Sequence, residues 1–319
     1  MAGPVSTLRT VVEKVTCLRR LSVAKYDQKV SIPLFGGFGN QLFALAASLY
    51  FRERFDRVIR LDPSFQLLAE LFGNTKRVFE LGDVSACDIE IVQRSHLRVL
   101  NFFLSKYLSR NSWLSESPTT TWDSVTYNPK LRVVYGYFQD RQIVDPYFDV
   151  LCNVLATSSE FSSIFRGEVV DQICFHLRLG DKPAANHLFG ETSSDYYVRA
   201  IELAVEKSGL SYVSVVSDQP KKADSVISEL MQRISGVRFR LASNVDYLND
   251  FHNLIWSRAI VMSCSSFSWW ASRFADYFHS PVIIAPSPWN ASDLSSEKRL
   301  NYPHWHTIPK VKVHSIFPL

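Results

Sequence analysis

Short apolar runs alternate with amphipathic stretches through the second half of the chain, and this alternation limits the possible folds more than any other feature. Valine-rich runs at residues 212–216 and 282–285 are typical of buried strands. Residues 195–207 place apolar side chains on one helical face, and Gly209, just past the end of this stretch, is typical of a residue that ends a helix. Strands that alternate with helices of this length predict βαβ units and a mostly parallel sheet.

The same reading gives a set of elements for each half of the chain. In the second half we predict strands over residues 172–179, 212–216, 237–241, 259–262 and 282–285, and helices over residues 195–207, 220–234, 247–257 and 268–278. In the first half we predict strands over residues 29–35, 57–61 and 133–138, and a helix over residues 41–55. The stretch 66–122 has a helical patch at 97–108 but no regular strand–helix rhythm.

Length and hydrophobic content predict two domains of the α/β class. The chain has 319 residues and is 46% hydrophobic, which is enough for two modest cores. We place the boundary near residue 150. Residues 1–150 then form an N-terminal Rossmann-like lobe, and residues 151–319 form a C-terminal one.

Charge, cysteine usage and hydropathy exclude several classes of protein. A net charge of +4 without a concentrated basic stripe argues against nucleic-acid binding. Five widely spaced cysteines without a CxxC pair predict neither a disulfide framework nor a zinc site. The sequence has no signal-type apolar region and no run long enough for a membrane helix, so we expect a cytoplasmic protein. Residues 7–22 read as a plain surface helix or as one that touches a membrane surface peripherally.

Two motifs sit where predicted strands end, and each is suited to an anionic ligand. The first, GGFGNQ, spans residues 36–41 between a strand and a helix, where glycines allow close backbone approach and the helix start offers N–H groups. The second, HLRLGD, spans residues 176–181; strand alternation puts His176 and Arg178 on one side. An arginine there can grip a phosphate with two hydrogen bonds. A structural turn and a structural salt bridge remain equal alternatives.

Two further motifs carry hydroxyl groups at strand ends. Ser217 and Asp218 can bind a ribose or base edge, or can cap the next helix. The run SSFSWW at residues 265–270 places three serines at a helix start, where phosphate oxygens bind well. For its paired tryptophans, core packing is favoured over sugar stacking.

Together these motifs resemble one family. GGFGNQLF, GYFQD, FHLRLGD, DYY, SD and SSFSWW occur in this order between about residues 32 and 290. The chain therefore resembles the α-1,2-fucosyltransferases, glycosyltransferase family 11. The resemblance implies a GT-B-like fold, with two lobes, mostly parallel sheets and a cleft between them. It also implies an inverting, metal-independent transfer of L-fucose from GDP-fucose to the 2-hydroxyl of a galactose. The implied acceptor is a galactose-containing glycan or lipid-linked oligosaccharide, and no cofactor is needed. By the same resemblance, residues 1–150 form the acceptor-side lobe and residues 151–319 form the GDP-fucose-binding lobe.

The resemblance also assigns roles to residues. Arg178, Asp181 and His176 are the implied catalytic residues, with Arg178 assisting the departing β-phosphate. The implied donor-binding residues are Gly36, Gly37, Gly39, Asn40, Gln41, Arg178, Ser217, Asp218, Ser265, Ser266, Phe267 and Ser268. Asp250 matches an acidic position ahead of the serine motif. The sequence departs from the family at Cys264, where an asparagine is common, and at Leu179, where a basic residue is common.

Several alternatives stay open from the sequence. The general base is Asp181, His187, Glu191 or Asp195, or no strong base is needed because the reacting sugar resembles an oxocarbenium ion. The rival functions are a fucosyltransferase of another linkage or acceptor, a non-catalytic nucleotide-sugar-binding protein, and an NAD-dependent oxidoreductase. The absent dinucleotide fingerprint argues against the last.

Overall fold

The computed structural model describes residues 29–67, 78–82, 84, 89–101, 112–117, 120–180, 193–242, 246–289 and 296–310. The predicted helix at 7–22 and most of the helical patch at 97–108 lie outside them. The chain divides after Ser162 into two compact units, called unit 1 and unit 2 below. Helix Phe148–Ala156, whose Leu151 and Leu155 are buried, belongs to unit 1, so this division falls somewhat after the predicted residue 150.

Unit 1 is built on a parallel sheet. Its strands within the described residues are β1 (Val30–Pro33), β2 (Ile59–Asp62), β3 (Ile89–Ile91), β4 (Trp113–Ser115) and β5 (Val133–Tyr135). They lie in the order β3-β2-β1-β5-β4, and each neighbouring pair is parallel. The chain runs outward from β1 through β2 to β3 and later returns to the other side of β1. The order therefore reverses between β1 and β5, which is where open parallel sheets bind ligands.

The helices of unit 1 cover this sheet. Those with defined bounds among the described residues are α1 (Phe38–Phe55), α2 (Arg141–Val144) and α3 (Phe148–Ala156), with 3-10 turns at Pro63–Phe65, Trp122–Ser124 and Asp145–Tyr147. Residues 96–101 are also helical. Helix α1 is buried along most of its length. Its Phe51 ring meets Trp122 at 5.5 Å and Phe138 at 5.9 Å between ring centroids, so aromatic rings form much of this core.

Unit 2 contains the larger parallel sheet. Its strands within the described residues are β6 (Val170–Leu177), β7 (Tyr212–Ser217), β8 (Arg238–Leu241), β9 (Ser257–Val261), β10 (Val282–Ser287) and β11 (His306–Pro309). They lie in the order β11-β10-β9-β6-β7-β8, all parallel. The strand order reverses between β6 and β9, because the chain first builds toward β8 and then crosses back.

Helices pack on both faces of this sheet. In the part of unit 2 that the structure describes, they are α4 (Ser194–Ser208), α5 (Pro220–Arg233), α6 (Tyr247–Ile255), α7 (Ser266–His279) and α8 (Ser296–Leu300), after a 3-10 turn at Ser162–Phe165. Ile173, Phe175 and Leu177 of β6 point into one core with α4 and α5. By alternation, Cys174 and His176 face the side of α6 and α7.

The α/β class and the two parallel sheets are confirmed. The cleft between lobes stays a prediction. The predicted strand over 133–138 is too long, because β5 ends at Tyr135 and Phe138 adopts a left-handed φ of 55°. Strands β3 and β4 arise inside the stretch without rhythm. Among the described residues, no helix has the length and apolar character needed to cross a bilayer.

Candidate functional site

The carboxyl ends of three neighbouring strands of unit 2 carry the polar groups that the motifs predict. Arg178 follows β6, Asp218 follows β7, and the serine motif begins shortly after β9. Because these strands are parallel and adjacent, their ends meet at one edge of the sheet, at its switch point.

An ion pair joins the ends of β6 and β7. Arg178 Nη1 lies 3.2 Å from Asp218 Oδ2, and the two side chains are 22% and 23% exposed. The Asp218 carboxylate also accepts hydrogen bonds from the backbone N–H groups of Leu179 (2.8 Å) and Gly180 (3.1 Å). A Cβ atom at Gly180 would lie 2.4 Å from Asp218 Oδ2, so a larger residue at position 180 would displace the Asp218 carboxylate. Asp218 therefore shapes the Arg178 turn and orients the guanidinium.

His176 ties β6 to the segment that follows β9. It is 4% exposed, its Nδ1 lies 2.7 Å from the Ser263 hydroxyl, and its ring centroid is 5.3 Å from that of Phe267. An imidazole this deeply buried is better placed to hold the serine turn than to exchange protons with a substrate hydroxyl.

The serine motif forms the N-terminus of α7. The Ser265 hydroxyl accepts a hydrogen bond from Phe267 N at 3.3 Å and so caps the helix. Ser265, Ser266 and Phe267 are partly exposed. Ser268 is fully buried, and its hydroxyl donates to the carbonyl groups of Ser263 and Ser265. Ser265 and Ser266 thus stand at the surface of a helix N-terminus that favours anions, and Ser268 supports them from inside.

Three further predicted residues, Trp269, Trp270 and Ser217, lie in the interior of unit 2. Trp269 and Trp270 are fully buried, which confirms core packing. The Ser217 hydroxyl accepts from Gln219 N at 3.2 Å and is 4% exposed.

A buried lysine that sequence reasoning missed lies under the serine turn. Lys310 follows β11 and is fully buried, and its Nζ donates to the carbonyl of Trp289 at 3.0 Å. Its Nζ also lies 3.6 Å from Cys264 Sγ, and that thiol donates to the same Trp289 carbonyl at 2.6 Å. Burial lowers the pKa of Lys310 below its ordinary value. Cys264 is therefore part of a polar contact that joins the segments after β9 and β11.

Asp250 is a second buried ionisable group of unit 2. It lies in α6 and is 9% exposed. Burial raises the pKa of Asp250 from its ordinary 3.8 to about 7, with a smaller contribution from the charge of Asp246. Helix α6 packs on α7 through Phe251 and Phe267, whose ring centroids are 5.0 Å apart.

The glycine-rich turn of unit 1 follows β1 at the switch point of its own sheet. Gly36 has a φ of 67°, and a Cβ atom there would lie 2.3 Å from Asn40 Nδ2, so glycine is required. Asn40 Oδ1 accepts from Gln139 Nε2 at 3.0 Å. Helix α1 begins at Phe38, earlier than predicted, so Gly39 and Asn40 are already helical.

Gln41 serves the interior of unit 1. Its side chain is fully buried, its Nε2 donates to the Val78 carbonyl at 2.8 Å, and its Oε1 accepts from Glu80 N at 2.9 Å. Gln41 therefore braces the glycine turn against the chain near residue 80.

Of the four candidate general bases, the structure describes only Asp195. Asp181, His187 and Glu191 lie outside the described residues. Asp195 lies in the first turn of α4, and its carboxylate pairs with Arg233. No cluster of metal-ligating side chains occurs among the residues that the structure describes.

Comparisons with known proteins show a distant similarity between the backbone of this chain and several solved structures. No protein-family model matches the chain, and neither does any curated protein. POFUT1 in complex with GDP is 15% identical, covering 82% of this chain and 99% of its own, with a TM-score of 0.42. The fucosyltransferase NodZ from Bradyrhizobium is 11% identical over 78% and 93%, with a TM-score of 0.44. The E. coli heptosyltransferase WaaC with ADP is 10% identical over 81% and 87%, with a TM-score of 0.39. Similarity at this level identifies neither a family nor an activity.

Proposed function

We propose that this chain is an inverting glycosyltransferase that moves L-fucose from GDP-fucose to the 2-hydroxyl of a galactose. The observation that carries the proposal is the Arg178–Asp218 pair, next to the serine-capped start of α7 on neighbouring strand ends. This arrangement suits a diphosphate. The choice of fucose, of galactose and of the linkage rests on the motifs that resemble α-1,2-fucosyltransferases.

The proposed reaction requires the protein to stabilise the diphosphate of the departing GDP. As the bond between fucose C1 and the β-phosphate oxygen breaks, negative charge grows on that phosphate. Arg178, held in place by Asp218, supplies positive charge there, and the α7 N-terminus supplies N–H donors. We propose that these groups suffice without a metal ion.

Other residues have supporting roles in this proposal. His176 and Ser268 hold the serine turn in position, and Gln41 holds the glycine turn. Gly36, Gly37, Gly39 and Asn40 are proposed donor contacts on the strength of the resemblance. Asp181, which follows Gly180 in the sequence, is the proposed base for the acceptor hydroxyl. Asp195 is a poorer candidate, because Arg233 already pairs with it.

The test compares the effects of replacing two arginines, Arg178 and Arg258, which lie near opposite ends of strands in the unit 2 sheet. Arg178→Ala should lower the rate of GDP release from GDP-fucose, with a β-galactoside acceptor and EDTA present, by about 100-fold or more. Arg258→Ala is the matched control, because Arg258 also pairs with an aspartate across β6 and β9, but at the amino ends of those strands. Product NMR then identifies the hydroxyl that carries fucose.

Each outcome of this test has a distinct meaning. Equal activity in both variants removes Arg178 from the mechanism. Loss of wild-type turnover in EDTA refutes metal independence. If fucose is found on another hydroxyl, the proposed linkage is wrong. If GDP binds but no acceptor gives turnover, the result favours a non-catalytic nucleotide-sugar-binding protein.

A further inference from the structure

A thiol and a buried amine lie side by side next to the serine motif of unit 2. Cys264 directly precedes Ser265 and is partly exposed, whereas Lys310 follows β11 and is fully buried. Lys310 Nζ lies 3.6 Å from Cys264 Sγ, and both groups donate to the Trp289 carbonyl, at 3.0 Å and 2.6 Å. The proposed transfer of fucose uses neither the thiol nor the amine, so their pairing has a separate chemistry to explain it.

The backbone around each of the two residues is held by hydrogen bonds. The Lys310 carbonyl accepts from the Ser193 hydroxyl at 2.9 Å, which ties this residue to the start of α4. Ser265 N donates to the Ser263 carbonyl at 2.8 Å and closes a tight turn around Cys264. Because both backbones are fixed, rotation about the bonds of the flexible lysine stem is the movement that brings nitrogen to sulfur.

The surroundings favour oxidation of Cys264 over that of Cys152 and Cys174, the other two cysteines among the described residues. Both of these are buried, and burial raises the pKa of the Cys174 thiol. A thiolate is the form that attacks peroxides, and a neighbouring ammonium group stabilises a thiolate. Cys264 combines such a neighbour with exposure to dissolved oxidants.

Burial also prepares Lys310 to act as a nucleophile. Burial lowers the pKa of Lys310, and the charge of a Cys264 thiolate opposes this effect in part. Conversion of the thiolate to an uncharged sulfenic acid removes that charge, so the buried ammonium group then loses its proton more readily. The neutral amine is the form that attacks an electrophilic sulfur.

We infer that Cys264 and Lys310 form a modification site, which a peroxide converts into a sulfenamide cross-link. The thiol sulfur first attacks hydrogen peroxide and the O–O bond breaks, which gives a sulfenic acid and water; sulfur is oxidised and the peroxide oxygen is reduced. The lysine nitrogen then attacks sulfur, the S–O bond breaks, and hydroxide leaves as water with a proton from nitrogen. The new S–N bond joins the segments after β9 and β11, next to the cap of α7.

The test is oxidation of the full chain with dilute hydrogen peroxide, followed by trypsin digestion and mass spectrometry. The expected product links peptide 259–273 to peptide 300–312, because trypsin does not cleave after a modified Lys310. Its mass should be lower than that of the two peptides together by two hydrogen atoms, and dithiothreitol should release both peptides. Met262 lies in the first peptide, so fragment spectra must locate any added oxygen.

Two variants separate the cross-link from oxidation of the thiol alone. Lys310→Met should lose the linked product completely, and its Cys264 sulfenic acid should instead be trapped by dimedone. Cys152→Ser is the control and should form as much linked product as the wild type, because Cys152 is buried in α3 of unit 1. The wild-type measurement decides the question even if Lys310→Met fails to fold.

The outcomes are distinct from those that test the proposed function. The inference is overturned if Cys264 stays reduced, or if it ends as a sulfinic acid, a sulfonic acid or a disulfide without a link to Lys310. A bond from sulfur to the Ser265 backbone nitrogen, or a linked pair that keeps an added oxygen atom between sulfur and nitrogen, overturns it as well. None of these measurements involves GDP or a sugar, so the two proposals stand or fall separately.

Discussion

At the scale of single residues, Asp250 gives the clearest prediction. Its pKa of about 7 in the folded state, against 3.8 ordinarily, means that the folded protein binds a proton more tightly than the unfolded chain. Stability should therefore fall as the pH rises from about 4 to 7 and then level off. Asp250→Asn removes this dependence. Its advantage in unfolding free energy over the wild type should grow by on the order of 2–3 kcal/mol between pH 5 and pH 8.

Urea unfolding of both proteins at several pH values measures this difference, and the other titrating groups cancel in the comparison. A gap that does not change with pH would mean that Asp250 stays ionised in the folded state.

For single residues, the sequence predicts the side of a strand better than the partner of a side chain. Alternation along β6 predicts one side for His176 and Arg178, and the Arg178 contact with Asp218 follows from adjacent strand ends. Lys310 could not be found in this way, because its place depends on a contact with Trp289 after a different strand and it belongs to no recognisable motif.

At the scale of elements, the apolar periodicity locates helices and strands well and their ends less well. Helix α7 begins at Ser266 rather than 268, because the Ser265 hydroxyl already caps it. Helix α1 begins at Phe38 rather than 41, with Gly37 in an extended conformation as its N-cap residue. Strands β3 and β4 are three residues each, too short for an alternating pattern to reveal.

Substitutions of Ser265, the residue that caps α7, can separate its structural role from its proposed role in binding the diphosphate. Ser265→Ala should lower the unfolding free energy by about 1 kcal/mol, because the Phe267 N–H loses its acceptor. Ser265→Asp keeps a capping oxygen and should retain stability, but its charge opposes a bound diphosphate. We therefore expect GDP affinity, measured by calorimetric titration, to fall in Ser265→Asp while its melting temperature holds.

Asp246→Ala is the control, since Asp246 caps α6 in the same unit and should cost cap stability without loss of GDP affinity. Unchanged GDP affinity in Ser265→Asp would place the diphosphate elsewhere.

At the scale of the whole molecule, composition and rhythm predict two α/β units, and each unit has its own parallel sheet and buried core. Thermal unfolding should therefore depart from a single two-state transition, with a van't Hoff enthalpy below the calorimetric one. Leu42→Ala, in the core of unit 1, and Leu230→Ala, in the core of unit 2, should each cost about 2–5 kcal/mol and shift different parts of the calorimetric trace. A single transition that both variants shift equally would show that the units unfold together.

The order of strands in unit 2 also has a consequence for synthesis on the ribosome. The chain emerges in the order β6, β7, β8, yet β6 has β9 as its second neighbour. Until residues 257–261 have been made, β6 has one unpaired edge, and its central residues Ile173, Cys174 and Phe175 are apolar. Exposed edges of this kind pair readily with other chains. A nascent or truncated chain that stops between β8 and β9 should thus aggregate more readily than the full chain and depend more on a chaperone.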